Sequence, residues 1–122
     1  MLLGIINLVL DAKFRQASKG KDFKKFAAGY DCSVVMKTLD NRSGKRFIFK
    51  NGTYTSDDVL DEFDSALVWK DNLTAIKALL AGNDQAIYEE VQKHNAFFLG
   101  PVHIFNWFGS AMNLVMGRTR PR

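Results

Sequence analysis

Apolar residues open the chain at helical spacing. Leu3, Ile6, Leu10 and Phe14 recur every three or four positions and predict an N-terminal helix with one buried stripe. The run MLLGIINLVL stops after ten residues, is interrupted by Asn7, and lacks both a basic lead and a small-residue cleavage site, so it reads as a packed helix and not as a span or leader. A helix lying on a lipid surface carries the same stripe.

Past a basic connector from Lys19 to Lys25, the pattern changes to alternation. DCSVVMKTL and RFIFK, separated by the turn chemistry of DNRSGK, predict two strands. Asn51-Gly52 is a hairpin signal, because both central residues of a type I′ turn need positive φ, and it leads into a third strand at Thr53, Tyr54 and Thr55. The acidic stretch Ser56 to Asp64 reads as a loop. SALVWK is the fourth strand, with Ser65, Leu67 and Trp69 on one face.

Asp71 or Asn72 then caps a helix that sets Leu73, Ile76, Leu79 and Leu80 along one side and closes at Gly82. A second helix, Asp84 to His94, starts from Asn83 and brings in Ile87 and Val91, with Asn95 placed for the left-handed turn at its end. A last strand is predicted over Pro101 to Phe105, and Asn106 caps a closing helix carrying Phe108, Ala111, Met112 and Val115 up to Gly117. The order is helix, four strands, two helices, strand, helix. This is an α+β pattern in which helices cover one sheet.

Composition narrows the setting. With 122 residues, 47% of them hydrophobic, the chain suits a single domain over 1–122, ending in a basic tail at about 118–122. One cysteine, Cys32, supplies neither a disulfide framework nor a zinc cluster and points to a reducing compartment, the cytoplasm. The net charge of +4 is unevenly spread: Lys13, Arg15, Lys19, Lys21, Lys24 and Lys25 cluster early, whereas Asp57, Asp58, Asp61, Glu62 and Asp64 crowd the middle. Such polarity suits either an ordinary solvated surface or transient contact with an anionic membrane.

Enzyme chemistry finds no footing. The sequence has no nucleophile-and-base pattern, no phosphate-cradling glycine loop and no metal-ligand spacing; His94 and His103 are its only histidines, and Asp61, Glu62 and Asp64 lack the spacing of a calcium loop. No cofactor is expected. Aromatic residues alternate with apolar ones instead of interleaving with Lys and Arg, which argues against nucleic acid as a partner.

Two blocks carry a family resemblance. DSALVWKDNLTAIKALLAG and AFFLGPVHIFNWFGSAMNLVM resemble the sterol carrier protein 2 family, through Leu67, Leu79, Leu80 and Gly82 in the first block and through Ala96, Phe97, Phe98, Gly100, Val102, Ile104, Gly109, Ala111, Met112 and Leu114 in the second. The upstream half matches more loosely, through DFKKFAAGY, the first strand and the Asn51-Gly52 hairpin. Leu99 departs from a common glutamine, Asn106 from a nearby glycine, and the region around Ile87 and Val91 adds about two helical turns.

The resemblance implies a five-stranded, mostly antiparallel sheet roofed by helices that enclose an apolar tunnel. It also implies binding and carriage, without chemistry, of a fatty-acyl, sterol-like or isoprenoid lipid. Placed on this sequence, the tunnel lining is Leu67, Trp69, Ile76, Leu80, Phe97, Phe98, Val102, Ile104, Phe108, Met112, Val115 and Met116. Ser65, the Trp69 indole, Asn106 and Asn113 are the polar groups beside it, and Ser65 also reads as a satisfied strand hydroxyl. The alternative role is an accessory or scaffold that presents a lipid-like intermediate, such as a quinone precursor, to a partner enzyme.

Overall fold

The computed structural model describes residues 2–81 and 84–116, with no side-chain description for residues 2, 3, 80, 81 and 84. The order is α1 (Leu2–Ala17), α2 (Lys21–Ala27), β1 (Asp31–Thr38), β2 (Gly44–Lys50), β3 (Thr53–Asp57), β4 (Ser65–Trp69), α3 (Asn72–Ala81), α4 (Asp84–Gln92), β5 (Ala96–Leu99) and α5 (Val102–Val115). The strands form one sheet in the order β3-β2-β1-β4-β5, antiparallel except for the parallel pair β1/β4. The fold is thus the expected α+β class with a mostly antiparallel five-stranded sheet. Predicted features at Leu3, Leu80, Gly82, Asn83, Gly117 and the basic tail fall outside what is described.

Local chemistry explains most of the boundaries. Asn51 and Gly52 both take positive φ, 45° and 86°, so the β2–β3 turn has the twist that an antiparallel hairpin requires. Asp71 caps α3 by accepting the Thr74 backbone N–H at 2.8 Å. Among the described side chains of α3, Ala75 and Ala78 are buried, Leu79 is half-buried against the core and Leu73 is exposed. α4 ends at Gln92, and it is His94, at φ 64°, rather than Asn95, that takes the left-handed turn. The basic connector is itself partly helical, as α2, which buries Phe23 and Ala27 and leaves Lys21, Lys24 and Lys25 exposed.

The last strand is shorter and earlier than expected. Ala96, Phe97, Phe98 and Leu99 pair with Trp69, Val68, Leu67 and Ala66, which uses up β4. Gly100 then turns at φ 84° against Asp64, and no strand remains for residues 101–105 to pair with. Pro101 becomes the N-cap residue, and Phe105, Phe108 and Met112 bury one face of α5 at helical spacing. Val102 and Ile104 are therefore helical residues, not inward strand positions, and Asn106 lies within the helix instead of capping it.

The sheet has two unequal faces. Val34, Met36, Phe47, Phe49, Leu67 and Trp69 point into the main core, against Leu10 and Phe14 of α1 and Phe105, Phe108 and Met112 of α5. Val35, Ala66 and Val68 point the other way, under Leu60 and Phe63 of the acidic segment. Basic residues fasten that segment down: Arg46 Nε donates to Asp57 at 2.8 Å, Arg46 Nη1 to the Glu62 carbonyl at 3.0 Å, and Lys37 Nζ to the Leu60 carbonyl at 3.4 Å. The acidic cluster thus acts as a strap over the outer face.

α1 is tied to β3 through Asp11, which accepts the Tyr54 and Ser56 hydroxyls, each at 2.6 Å, and Arg15 Nε at 3.3 Å. Burial pushes the Asp11 carboxyl up, but the bonds from Ser56, Tyr54 and Arg15 outweigh it and hold it below the usual carboxylate range. A depressed carboxylate adds stability above its unfolded pKa, about 4, and that stability is lost as pH falls through the folded value. Asp11→Asn is expected to be less stable than the parent at pH 7, with the gap closing on acidification below about pH 4. Urea midpoints of both proteins at pH 7 and pH 3 check this; an equal gap at the two pH values contradicts it.

Candidate functional site

A space for an apolar ligand must lie where apolar walls face each other, which here is between the inner sheet face and the helices. Aromatic rings run through that layer. Phe14 meets Phe47, Phe49 and Phe108 at centroid distances of 5.8, 5.1 and 5.8 Å, Phe108 meets Phe105 at 6.2 Å, and Phe105 meets Phe98 at 4.7 Å. Tyr88 of α4 meets Phe98 at 6.0 Å. The chain of rings therefore leads from the protein's centre to the seam between α4 and α5.

At that seam a small open cleft, with room for about one water molecule, is lined by Ile87, Tyr88, Phe105, Asn106 and Gly109. The Tyr88 hydroxyl donates to Asn106 Oδ1 at 2.7 Å and bridges the two helices. α4 is the more lightly held of the pair, since Ile87 is its one fully buried side chain among the described residues. Sequence reasoning passed over this cleft. Phe105 and Asn106 were expected at a strand end and a cap, and placing them on α5 is what brings them against Ile87 and Tyr88.

The residues expected to line a tunnel fall into distinct groups. Leu67, Trp69 and Phe108 have 0% exposure and Met112 8%, all in the helix-facing core. Phe98, Ile104, Val115 and Met116 are half-buried and packed against that core, and Ile76 is half-buried on α3. Leu80 lies outside the described side chains. Phe97 corrects the expectation: it pairs with Val68, whose side chain lies on the outer face, and adjacent strand residues point to opposite faces, so Phe97 and Phe98 cannot line one layer together. Val102, 48% exposed in the first turn of α5, also lies outside the inter-layer space.

The polar residues near this layer are mostly committed. Ser65, 1% exposed, donates to the Pro101 carbonyl at 2.8 Å. Asp64 accepts the Ser33 backbone N–H at 2.8 Å, and among the described residues no group of three His, Cys, Asp or Glu side chains is placed to hold a metal ion. Cys32 is buried, and burial together with Asp64 and Asp31 pushes its thiol up to about 11, so it is a poor nucleophile. His94 and His103 are exposed, one just after α4 and the other in the first turn of α5. No described helix is long and apolar enough to cross a membrane.

No protein-family model and no curated protein matches the sequence. Solved structures do. A ubiquinone synthesis protein, UbiJ-SCP2, superposes with a TM-score of 0.62 at 10% identity over 90% of this chain and 91% of its own. Sterol carrier protein 2 gives 0.55 at 13% identity over 92% and 95%, and a conserved hypothetical protein from Thermus thermophilus, described as possibly a sterol carrier protein, gives 0.54 at 11% over 89% and 82%. With that coverage at both ends, the chain has the sterol carrier protein 2 fold.

Proposed function

We propose that this domain binds an apolar lipid between its helical layer and the inner sheet face and carries it without altering it chemically. The observation that carries the reading is the continuous aromatic and aliphatic layer that starts at the α4/α5 cleft and ends at the centre of the protein. Leu67, Trp69 and Phe108 have no accessible surface, so a ligand enters by displacement, with α4 swinging from α5 as the Tyr88–Asn106 bond breaks. Leu67, Trp69, Ile76, Leu80, Phe98, Ile104, Phe108, Met112, Val115 and Met116 are the proposed walls, and methionines suit a wall that must conform to its ligand.

The energetics suit carriage. Burying hydrocarbon yields about 0.8 kcal/mol per methylene, so an acyl chain of about fifteen gains on the order of 12 kcal/mol gross relative to water. A bilayer offers the same gain, and net transfer from membrane to protein is near zero. That balance permits both loading and release.

Loading requires contact with a membrane. Ile5, Leu8 and Val9 of α1 are 59%, 61% and 44% exposed, on the side of the helix away from Leu10 and Phe14, and exposed Lys13, Lys19, Lys21, Lys24 and Lys25 follow. This arrangement suits transient docking on anionic lipid from the cytoplasm. A second reading is favoured by the likeness to UbiJ-SCP2: an accessory that presents an isoprenoid intermediate to a partner enzyme. Co-purification of such an enzyme separates it from free carriage.

Uptake of a fluorescent fatty-acyl probe tests the walls. Met112→Trp and Ile104→Trp are each expected to cut uptake at least about tenfold, at a stability cost of about 1–3 kcal/mol for overpacking. Unchanged uptake in both variants contradicts the proposed walls.

A further inference from the structure

Two polar atoms in the inter-layer space have no hydrogen-bond partner in the protein: Trp69 Nε1, on a residue with 0% exposure, and Asn7 Oδ1, on a residue with 1%. The orientation of the Asn7 amide is fixed. Its Nδ2 donates to the Met36 carbonyl at 3.3 Å, and only the NH2 end can meet a carbonyl, so the oxygen is the atom left over. Trp69 offers a donor and no acceptor; Asn7 Oδ1 is an acceptor only.

The two residues sit on elements that adjoin the same strand, β1. Met36 of β1 pairs with Leu67 of β4, and Trp69 lies two residues further along β4 opposite Thr38. Met36, Leu67 and Trp69 all face the helical core, where Asn7 projects from α1. Adjacent strands lie about 4.8 Å apart and two residues span about 6.6 Å, so the Met36 and Trp69 backbones are about 8 Å apart, a gap that the two side chains and one ligand head group would span together. The third orphan, Trp107 Nε1, lies elsewhere, on a ring stacked on Tyr30 and Phe26.

A lone donor facing a lone acceptor is complementary to a group that is both, which is a hydroxyl. We infer that Asn7 and Trp69 form a hydroxyl-recognition site inside the lipid-binding layer, and that the ligand is an uncharged amphiphile with an alcohol head, accepting from Trp69 Nε1–H and donating to Asn7 Oδ1. This rests on the lipid-binding reading and narrows it. No charged side chain is buried among the described residues, so a carboxylate or phosphate head taken to the same depth would be desolvated with no countercharge. Thr38, the buried hydroxyl opposite Trp69, is already committed to Asp40 at 2.7 Å. Closing the layer over unpaired polar atoms costs free energy in the ligand-free protein alone, which favours opening for a ligand that pairs both.

Calorimetric titration of the full chain with three probes built on a twelve-carbon chain tests the site: 1-dodecanol, its methyl ether, which can accept but not donate, and dodecanoate. The parent protein is expected to bind the alcohol about tenfold tighter than the ether, with dodecanoate weaker than the alcohol. Asn7→Leu and Trp69→Phe should each bring the alcohol-to-ether affinity ratio to within about twofold, whatever the change in overall affinity or stability. Equal affinity of the parent for alcohol and ether, or a preference that survives both substitutions, overturns the site and leaves water as its occupant. Tightest binding of dodecanoate overturns it while leaving the carrier reading intact; no binding of any probe defeats both. If a variant fails to fold, the alcohol-to-ether ratio of the parent still decides.

Discussion

Replacing Gly100 by alanine is expected to destabilise the protein by at least about 3 kcal/mol, lowering its melting temperature by roughly 10 °C. Two penalties combine. Gly100 has φ 84°, a region where a Cβ costs about 1–2 kcal/mol from the backbone alone. An added Cβ would also overlap the Asp64 carbonyl oxygen and sit 3.1 Å from Ser65 Cα, and both are backbone atoms that cannot rotate aside. The turn can relieve the clash only by lifting β5 from β4 or shifting the start of α5, so the same substitution is expected to loosen the α4/α5 cleft. A melting temperature within about 2 °C of the parent would show that the turn tolerates a side chain and that β5 is not held by this close approach.

Phe14→Ala is expected to cost about 3–5 kcal/mol, the range for deleting a large buried ring. Phe14 has 0% exposure and lies 6.0, 5.8, 5.1, 5.2 and 5.8 Å from the ring centroids of Phe23, Phe47, Phe49, Tyr54 and Phe108. It thereby joins α1 and α2 to the sheet and to α5. Five rings from four other elements cannot collapse into the gap together, so most of the cavity cost should be retained. Phe14→Leu, which keeps much of the volume, should cost less than half as much. Denaturant unfolding of the pair measures both; a loss below about 1 kcal/mol for the alanine variant would mean that the ring cluster repacks freely.

The two predictions meet at places where sequence and structure relate differently. Phe14 was legible: its spacing from Ile6 and Leu10 marks the buried stripe of α1, and the first four strands were equally visible because alternation and the Asn51-Gly52 turn are local signals. Gly100 matched the resemblance as a residue type, but its reason is a contact with Asp64, far away in the chain, which no periodicity reveals. The error over residues 101–105 has the same origin. Val102 and Ile104 look like alternating β positions, yet a strand needs a partner, and β4 is exhausted by Leu99. The burial of Asn7 is a third case: it reads as an interruption of an apolar run, whereas the fold puts it against the Met36 carbonyl.

The candidate site was legible in outline and not in detail. Leu67, Trp69, Phe108 and Met112, named from the resemblance as tunnel lining, all lie in the core between sheet and helices. The Tyr88–Asn106 bridge was not, because it joins two helices whose relative placement depends on where β5 ends.

The most direct test of lipid carriage is native mass spectrometry of the protein purified from cells without detergent, followed by solvent extraction of whatever travels with it. A mass above that of the bare chain, resolved on extraction into an apolar lipid in about equimolar amount, is the result the proposed function predicts, and an alcohol-headed species would match the Asn7–Trp69 site. A bare chain that also takes up no fatty acid, alcohol, sterol or quinone on incubation would contradict carriage and leave a domain whose inter-layer space is filled by its own side chains.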